Sequence, residues 1–384
     1  MAERVRVAVV GAGLIGAAVG YELADAGIET LVVDAAAEPA AGISRSNSGI
    51  VHTGFDSTPG TLETAMIRSQ AARWRALFDA LGVPYQVPGA LLVGAEAADA
   101  ESLAKLAANA ARNGVSCQIL DARDCLRLAP QVRAAAGLLI PEEALTDPYE
   151  VTRRLLGAGP PARFGCSVDE VAERGEHAML RGGDLRLEAD FVVNCAGLYA
   201  DDIAADGSFS ITARRGDFIV YDSGACDLVR HILLPPPSRH SKGVLVFPTL
   251  YGFVCAGPTA VDQTDKADWR PDPRVVAYIR ERAEALVPKL ASHRVVDSWT
   301  GLRAVGHPHN YIVQWSHRVP AMLHVAAIRS TGLSACLGLA DYVRSLLGVR
   351  GVRSARRLRN LGRPPDYDAP RPWWRRLADI RAGA

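Results

Sequence analysis

Near its N-terminus the chain carries a run that is apolar at five of six positions, Val5-Arg6-Val7-Ala8-Val9-Val10. A run of this kind, rich in β-branched residues, predicts a strand buried on both faces. The spacing then changes. Leu14, Ile15, Val19 and Leu23 recur at helical intervals, and Gly27 stops the helix they predict. Thr30-Leu31-Val32-Val33 returns to strand and ends on an acid, Asp34. Strand and helix are joined by Gly11-Ala12-Gly13-Leu14-Ile15-Gly16, a G-x-G-x-x-G turn. Gly11 permits the tight turn, Gly13 lets backbone approach a pyrophosphate, and Gly16 lets helix and strand pack closely. The N-terminus of the helix, at Leu14 and Ile15, presents N–H groups and a positive dipole end to phosphate. Asp34 follows at about 20 residues, where an acid binds a ribose hydroxyl. Strand, turn, helix, second strand and acid stand in register. The pattern therefore predicts a dinucleotide site, against the alternative of a glycine-rich turn in an ordinary βαβ unit.

Beyond Asp34 the pattern departs from a run of further βα units. Gly42-Ile43-Ser44-Arg45-Ser46-Asn47-Ser48-Gly49-Ile50-Val51-His52-Thr53-Gly54 is polar and punctuated by glycine, which predicts a loop lying against something flat or anionic. Pro59-Gly60-Thr61 opens an amphipathic helix toward Leu81, with Thr61 as N-cap and Glu63 in the first turn. Asp190-Phe191-Val192-Val193-Asn194 reads as another buried strand, and Arg163-Phe164-Gly165-Cys166-Ser167 as a strand leading to Val168. Short β-rich runs at Val87–Val93, Phe218–Tyr221, Leu245–Pro248 and Gly252–Ala256 fit an antiparallel or mixed sheet. A polar helix over Ala98–Asn113, stopped by Gly114, lies among them.

Composition narrows the class. At 384 residues the chain is long enough for two domains, and a hydrophobic fraction of 49% supplies large cores. A net charge of +1 gives no reason to expect nucleic acid. The seven cysteines, at 117, 125, 166, 195, 226, 255 and 336, form no C-x-x-C pair and are odd in number. They read as free thiols in a reducing compartment, with no metal site. No apolar run reaches the roughly 20 residues of a membrane span, and no signal peptide precedes the first strand. The expected location is cytoplasmic.

Taken together, these blocks resemble the FAD-dependent oxidoreductases of the D-amino-acid-oxidase superfamily, in the branch of glycerol-3-phosphate dehydrogenase and L-2-hydroxyglutarate dehydrogenase. Ser46–Leu62 is similar to that branch's flavin-contacting loop. The likeness continues at Asn194–Asp201, Arg214–Phe218, His231–Pro235, Lys242–Val244 with Phe247–Thr249, Gly301–Arg303 and Ile328–Ser334. The resemblance implies an α/β fold: a discontinuous Rossmann-type FAD-binding domain (1–84, 142–209 and 321–384) intertwined with an α+β substrate domain (85–141 and 210–320) built on an antiparallel or mixed sheet. It implies bound FAD, held by Gly11, Gly13, Leu14, Ile15, Gly16 and Asp34. Ser44, Arg45, Asn47, Ser48 and Gly49 of the loop join them, as do Val168 beside adenine, Ala196 and Gly197, and Gly332, Leu333 and Ser334.

Hydride loss from a carbinol carbon needs a base for the hydroxyl proton and an anchor for the substrate's anion. His231, in Val229-Arg230-His231-Ile232-Leu233-Leu234-Pro235, resembles the branch's strand histidine and is the first candidate for the base; its alternative is a strand-end histidine bonded to backbone. His52 is the second, in the loop that skirts the ring. Arg303 matches an arginine that grips a carboxylate or phosphate, and Arg329 could face the same anion. Arg45 and Lys242 are lesser anion candidates. His307-Pro308-His309 reads as a loop, and Asp201 and Asp217 as structural. The implied activity is oxidation of a small anionic 2-hydroxy acid or polyol phosphate, with electrons passed to oxygen, a quinone or a carrier. Alternatives are an amine or amino-acid oxidase, a natural-product tailoring oxidase, or, in a different class, an NAD-binding dehydrogenase or nucleotide-sensing protein. The Arg-rich end with Trp373 and Trp374 suggests peripheral membrane contact, but a solvated or dimer-packing tail is preferred.

Overall fold

The structure, a computed structural model, describes residues 3–236, 243–353 and 372–376. It has a mixed α/β fold. The first strand, Glu3–Val10, sits centrally in an eight-stranded sheet, parallel to Thr30–Val33 on one side and to Leu185–Asn194 on the other. The long strand Leu185–Asn194 also pairs with His177–Gly182 along its first half and, near its end, with Met322–Ala326. Val7, Ala8 and Val9 are fully buried, as a central parallel strand requires. The helix Leu14–Asp25 ends where Gly27 takes a φ of 73°.

The second large sheet has nine strands and is mostly antiparallel. Its longest pairing joins Ser210–Tyr221 to Val295–His307. The strand expected at Phe218–Tyr221 is the end of this twelve-residue strand; the polar stretch Arg214, Arg215, Gly216 and Asp217 separates it from the short alternation of Ile211 and Ala213. The expected Val87–Val93 strand is observed as Ala90–Gly94, starting after Gly89 at φ 71°; the short strand Tyr85–Gln86 before it belongs to another sheet. Gly165, at φ 67°, likewise limits the expected Arg163–Ser167 strand to Ala162–Arg163. The polar helix runs over Asp99–Arg112, one residue inside its expected ends.

A small third sheet matters most for the site. Ile50–Val51 pairs antiparallel with Ala144–Thr146, which also pairs with Tyr85–Gln86. Thr61 caps the helix Leu62–Ala71 through its side chain, as its position predicted. The expected single helix to Leu81 is two, Leu62–Ala71 and Trp74–Leu81, separated by a tight turn in which Arg73 N–H donates to Gln70. The helix Gly332–Val349 lies on Leu62–Ala71 so closely that a Cβ on Gly338 would fall 2.2 Å from the Met66 carbonyl oxygen.

Candidate active site

Where the two large sheets face each other lies a cavity of about 1570 Å³. Single-ligand pockets run to roughly 300–1,000 Å³, so this one has room for a dinucleotide and a small substrate together. Its lining includes Gly11, Gly13, Leu14, Ile15, Asp34, Ser44, Asn47, Ser48, Val168, Ala196, Gly197, Gly332 and Leu333, and also His52, Arg303 and Arg329. Segments far apart in sequence thus converge on one space.

The glycine turn shows why it needs glycine. Gly11 has a φ of 107°, and a Cβ there would lie 2.5 Å from the Cys195 carbonyl oxygen. A Cβ on Gly13 would stand 3.1 Å from Ser44 Oγ, closing the approach to the helix. The N-cap residue of the helix that follows, Gly13, has no side chain to cap it, and the first turn holds no acid; Ser44 Oγ accepts from Leu14 N–H at 2.7 Å, which leaves the other first-turn donors open. Those remaining N–H groups and the dipole suit an anion. Asp34 stabilises the turn itself, accepting from the N–H groups of Ala12 and Ala36.

Five of the residues expected at the site lie off the cavity. Gly16 sits behind the turn, where a Cβ would come 1.8 Å from the Gly11 carbonyl oxygen; its part is close packing. Gly49 is turned the other way, against the Thr146 carbonyl and the Trp373 ring. Arg45 is buried, pairing with Glu38 at 3.0 Å, donating to the Pro39 carbonyl and lying over the Tyr149 ring; it offers no charge to a ligand. Ser334 accepts from the backbone N–H of His52 at 2.7 Å and so fixes the histidine rather than lining the space. His231, the first candidate for the base, stands at the wrong end of its strand. Ile232 bonds Gly89, and the His231 ring Nδ1 donates to the Pro88 carbonyl. Leu234 reaches the cavity instead, three residues or roughly 10 Å further along. Lys242 lies outside the described residues.

His52, by contrast, is placed by strand register. Ile50 faces Leu145 and Val51 faces Ala144, so the next step sets His52 opposite Glu143. The ring Nδ1 lies 2.8 Å from Glu143 Oε2. Glu143 is 1% exposed, and its other oxygen accepts from the backbone N–H and the hydroxyl of Thr53, at 2.6 and 2.8 Å. A carboxylate that already accepts twice on one oxygen orients the imidazole with Nδ1–H toward it, which assigns Nε2 the acceptor role. The sequence analysis missed Glu143. It lies 91 residues from His52, in a Pro-Glu-Glu turn that carries no chemical motif.

Register also explains the positive wall. In the pairing of Ser210–Tyr221 with Val295–His307, Arg214 stands directly opposite Arg303. Like charges opposed across a ladder destabilise it. Arg214 is relieved by Asp262, at 2.5 and 2.8 Å. Among the described residues, Arg303 donates to backbone carbonyls, those of Arg214, Arg215 and Thr259. Burial first, then the charges of Arg214 and Arg329, push its pKa down to about 10, against the partial support of Asp217 and Asp262. Arg214 lines the cavity, and the sequence analysis did not single it out.

Arg329 rides on a strained turn. Ala327 and Ser330 on either side have φ of 55° and 64°, outside the range non-glycine residues prefer. The turn is locked by Thr331, whose hydroxyl donates to Glu63 Oε1 at 2.6 Å and meets the Tyr311 hydroxyl at 2.7 Å. Among the described residues, no side chain bonds the Arg329 guanidinium. No cluster of three or more His, Cys, Asp or Glu suited to a metal is present among them either. Nor is any described helix long and apolar enough to cross a membrane. All seven cysteines are free. Trp373 and Trp374 are buried, at 1% and 2% exposure, so neither presents itself to solvent or to a membrane.

Comparison with known proteins accords with this geometry. The family model described as FAD dependent oxidoreductase matches residues 6–346. A glycerol 3-phosphate dehydrogenase of Caloramator mitchellensis is 27% identical over 89% of this chain and 73% of its own length. The mitochondrial L-2-hydroxyglutarate dehydrogenase of Arabidopsis thaliana is 26% identical over 89% of this chain and 83% of its own. Among solved structures, dithionite-reduced L-alpha-glycerophosphate oxidase from Mycoplasma pneumoniae, with FAD bound, superposes with a TM-score of 0.85 at 25% identity. That match covers 96% of this chain and 99% of the other.

Proposed function

We propose, for a chain that belongs to the FAD-dependent oxidoreductase family, that it oxidises the CH–OH group of a small anionic 2-hydroxy acid or polyol phosphate. Membership excludes the NAD-dehydrogenase and nucleotide-sensor alternatives. The residues present fit the flavin dinucleotide: a glycine cradle that a Cβ would fill, a helix N-terminus with no acid in its first turn, and a cavity that continues past Asn47 and Ser48 to His52. When bound, FAD supplies the acceptor for a hydride from the carbinol carbon.

The observation that carries the proposal is the pairing, in one cavity, of a carboxylate-backed histidine with a wall of arginines. His52 Nε2 takes the hydroxyl proton as the carbon–hydrogen bond breaks. Glu143 holds the ring's orientation and stabilises the imidazolium that results. Arg303 meets the substrate's carboxylate or phosphate, joined by Arg329. Its guanidinium carries a positive charge that backbone carbonyls cannot neutralise, and an anion supplies what the ligand-free protein lacks. The turn locked by Glu63, Thr331 and Tyr311 keeps Arg329 in place. Relatives named for glycerol 3-phosphate and for L-2-hydroxyglutarate support this substrate class. The free thiols support a reducing, cytoplasmic location. The electron acceptor is oxygen, a quinone or a carrier, and the rate of reoxidation in air sorts the first from the others.

The test is an anaerobic screen for bleaching of the flavin band by hydroxy acids, glycerol phosphates, amino acids and the neutral esters or alcohols matching each acid. Bleaching by an anionic hydroxy compound, and much slower bleaching by its neutral analogue, is the expected result. Equal rates with the two, or bleaching by amino acids alone, would overturn the proposal.

A further inference from the structure

The segment 372–376 packs behind the loop that runs past the cavity. Trp373 Nε1 donates to the Asn47 carbonyl at 3.0 Å, and Trp299 Nε1 donates to the Ser46 carbonyl at 3.2 Å. Two successive carbonyls of the loop are thus tied from behind by indoles more than 250 residues away in sequence. Asn47 and Ser48 line the cavity in front.

The indoles are themselves fixed. Trp299 stacks on Phe218 at 4.5 Å with an interplanar angle of 7°, and on Trp374 at 5.6 Å and 14°. Trp373 meets Trp374 edge to face at 4.7 Å. Gly49 lies against Trp373 so closely that a Cβ there would fall 3.2 Å from the ring. Arg375 pairs with Asp297 at 3.4 Å, and Arg376 lies over the Tyr149 ring, which Arg45 also meets. An isolated surface tail would not bury two tryptophans and spend an indole N–H on a loop carbonyl.

We infer that Trp373 is a positioning residue for the cofactor: docking of the 372–376 segment sets the path of the Ser46–Gly49 loop and thereby the affinity of the chain for FAD. The reasoning is one of pre-organisation. With both carbonyls satisfied from behind, the loop keeps one course whether or not FAD is bound. Without Trp373, the Asn47 carbonyl has to turn for another donor, and the loop must be re-ordered on binding.

Trp373→Phe tests this, since it keeps the ring packing and removes only the N–H; Trp373→Ala, which also opens a cavity, is the more severe companion. Protein stripped of flavin is titrated with FAD, and its melting temperature is followed without FAD. A lost buried hydrogen bond that acts on the loop should weaken FAD binding on the order of tenfold in Trp373→Phe. The bound flavin's visible spectrum should shift as well, while the flavin-free melting temperature changes little. Trp299→Phe, removing the neighbouring tie, should weaken binding too, and the double variant should show less than the sum of the two effects because both act on one loop. Trp373→Phe with FAD affinity within twofold of the parent and an unchanged spectrum would overturn the inference. So would a variant whose flavin-free stability falls while its FAD affinity holds, because that is the outcome of a purely structural role.

Discussion

Replacing Glu143 by glutamine should disable the base while leaving the cavity intact. The carboxylate makes three contacts, two to Thr53 and one to His52 Nδ1, at 2.6–2.8 Å and 1% exposure. A glutamine can keep both Thr53 contacts through its amide oxygen. It then turns an NH₂ donor toward His52, which forces Nδ1 to accept and moves the ring proton to Nε2. The nitrogen that should receive the substrate's proton now carries one. A charge-assisted hydrogen bond contributes about 1.5–3 kcal/mol, and a misplaced tautomer takes away most of what general-base catalysis supplies, on the order of 10²–10⁴ in rate. That rate range corresponds to roughly 3–5 kcal/mol of barrier, within which the lost hydrogen bond is included. Anaerobic stopped-flow reduction of the flavin, at saturating substrate, isolates this step from reoxidation. Glu143→Gln should hold FAD fully yet be reduced 10²–10⁴-fold more slowly, and His52→Ala should fall in the same range. His231→Ala, remote from the cavity, should stay within a few-fold of the parent. If Glu143→Gln reduces its flavin within threefold of the parent rate, the register-built pair is structural and another group takes the proton.

Gly13→Val should yield colourless protein, because the added side chain occupies the approach beside Ser44; full FAD occupancy by absorbance would show the dinucleotide lies elsewhere. Arg303→Met should raise the melting temperature of the ligand-free protein by removing a half-buried, like-charge-flanked cation, while weakening anionic substrate on the order of tenfold to a hundredfold. An unchanged affinity for the anion would contradict the grip assigned to it. Asp147 caps the helix Pro148–Gly157 and accepts from Tyr251, and burial pushes its carboxyl up to about 6. A raised carboxyl stabilises the fold below its unfolded pKa, and that contribution is lost as pH rises through 6, with a ceiling of roughly 3 kcal/mol. Asp147→Asn should therefore gain more over the parent at pH 8 than at pH 4.5 in thermal melts, and an equal difference at both would refute it.

What was legible in the sequence was local. The Gly11–Gly16 turn, the Thr61 cap and the helix over Asp99–Arg112 follow from residues within one or two turns of each other. Family resemblance carried the fold further, to interleaved segments that no periodicity could join. What stayed hidden arises between distant strands. Glu143 meets His52, and Arg214 faces Arg303, only because of how two ladders are aligned. His231 was misplaced because a strand's sequence does not say which of its ends opens on the cavity. Arg45 illustrates a related limit: it sits among loop residues that line the cavity, but its own side chain is drawn to Glu38 and Tyr149 on the other side. Trp373 and Trp374 lie in a stretch whose arginines and prolines suggest exposure, and their burial depends on an aromatic stack that begins at Phe218.

The pairing of Ile50–Val51 with Ala144–Thr146 has a consequence for the order in which the molecule acquires its parts. The nucleotide turn closes within the first 34 residues, a short loop that costs little chain entropy. The strands that bring His52 to Glu143 are separated by 91 residues and amount to a few ladder positions. Such non-local contacts are late to form. A slip of one residue in so short a ladder would point Glu143 to the opposite face. A chain part-way to the native state can thus own the Gly11–Gly16 turn and still lack the base that the short ladder sets beside it.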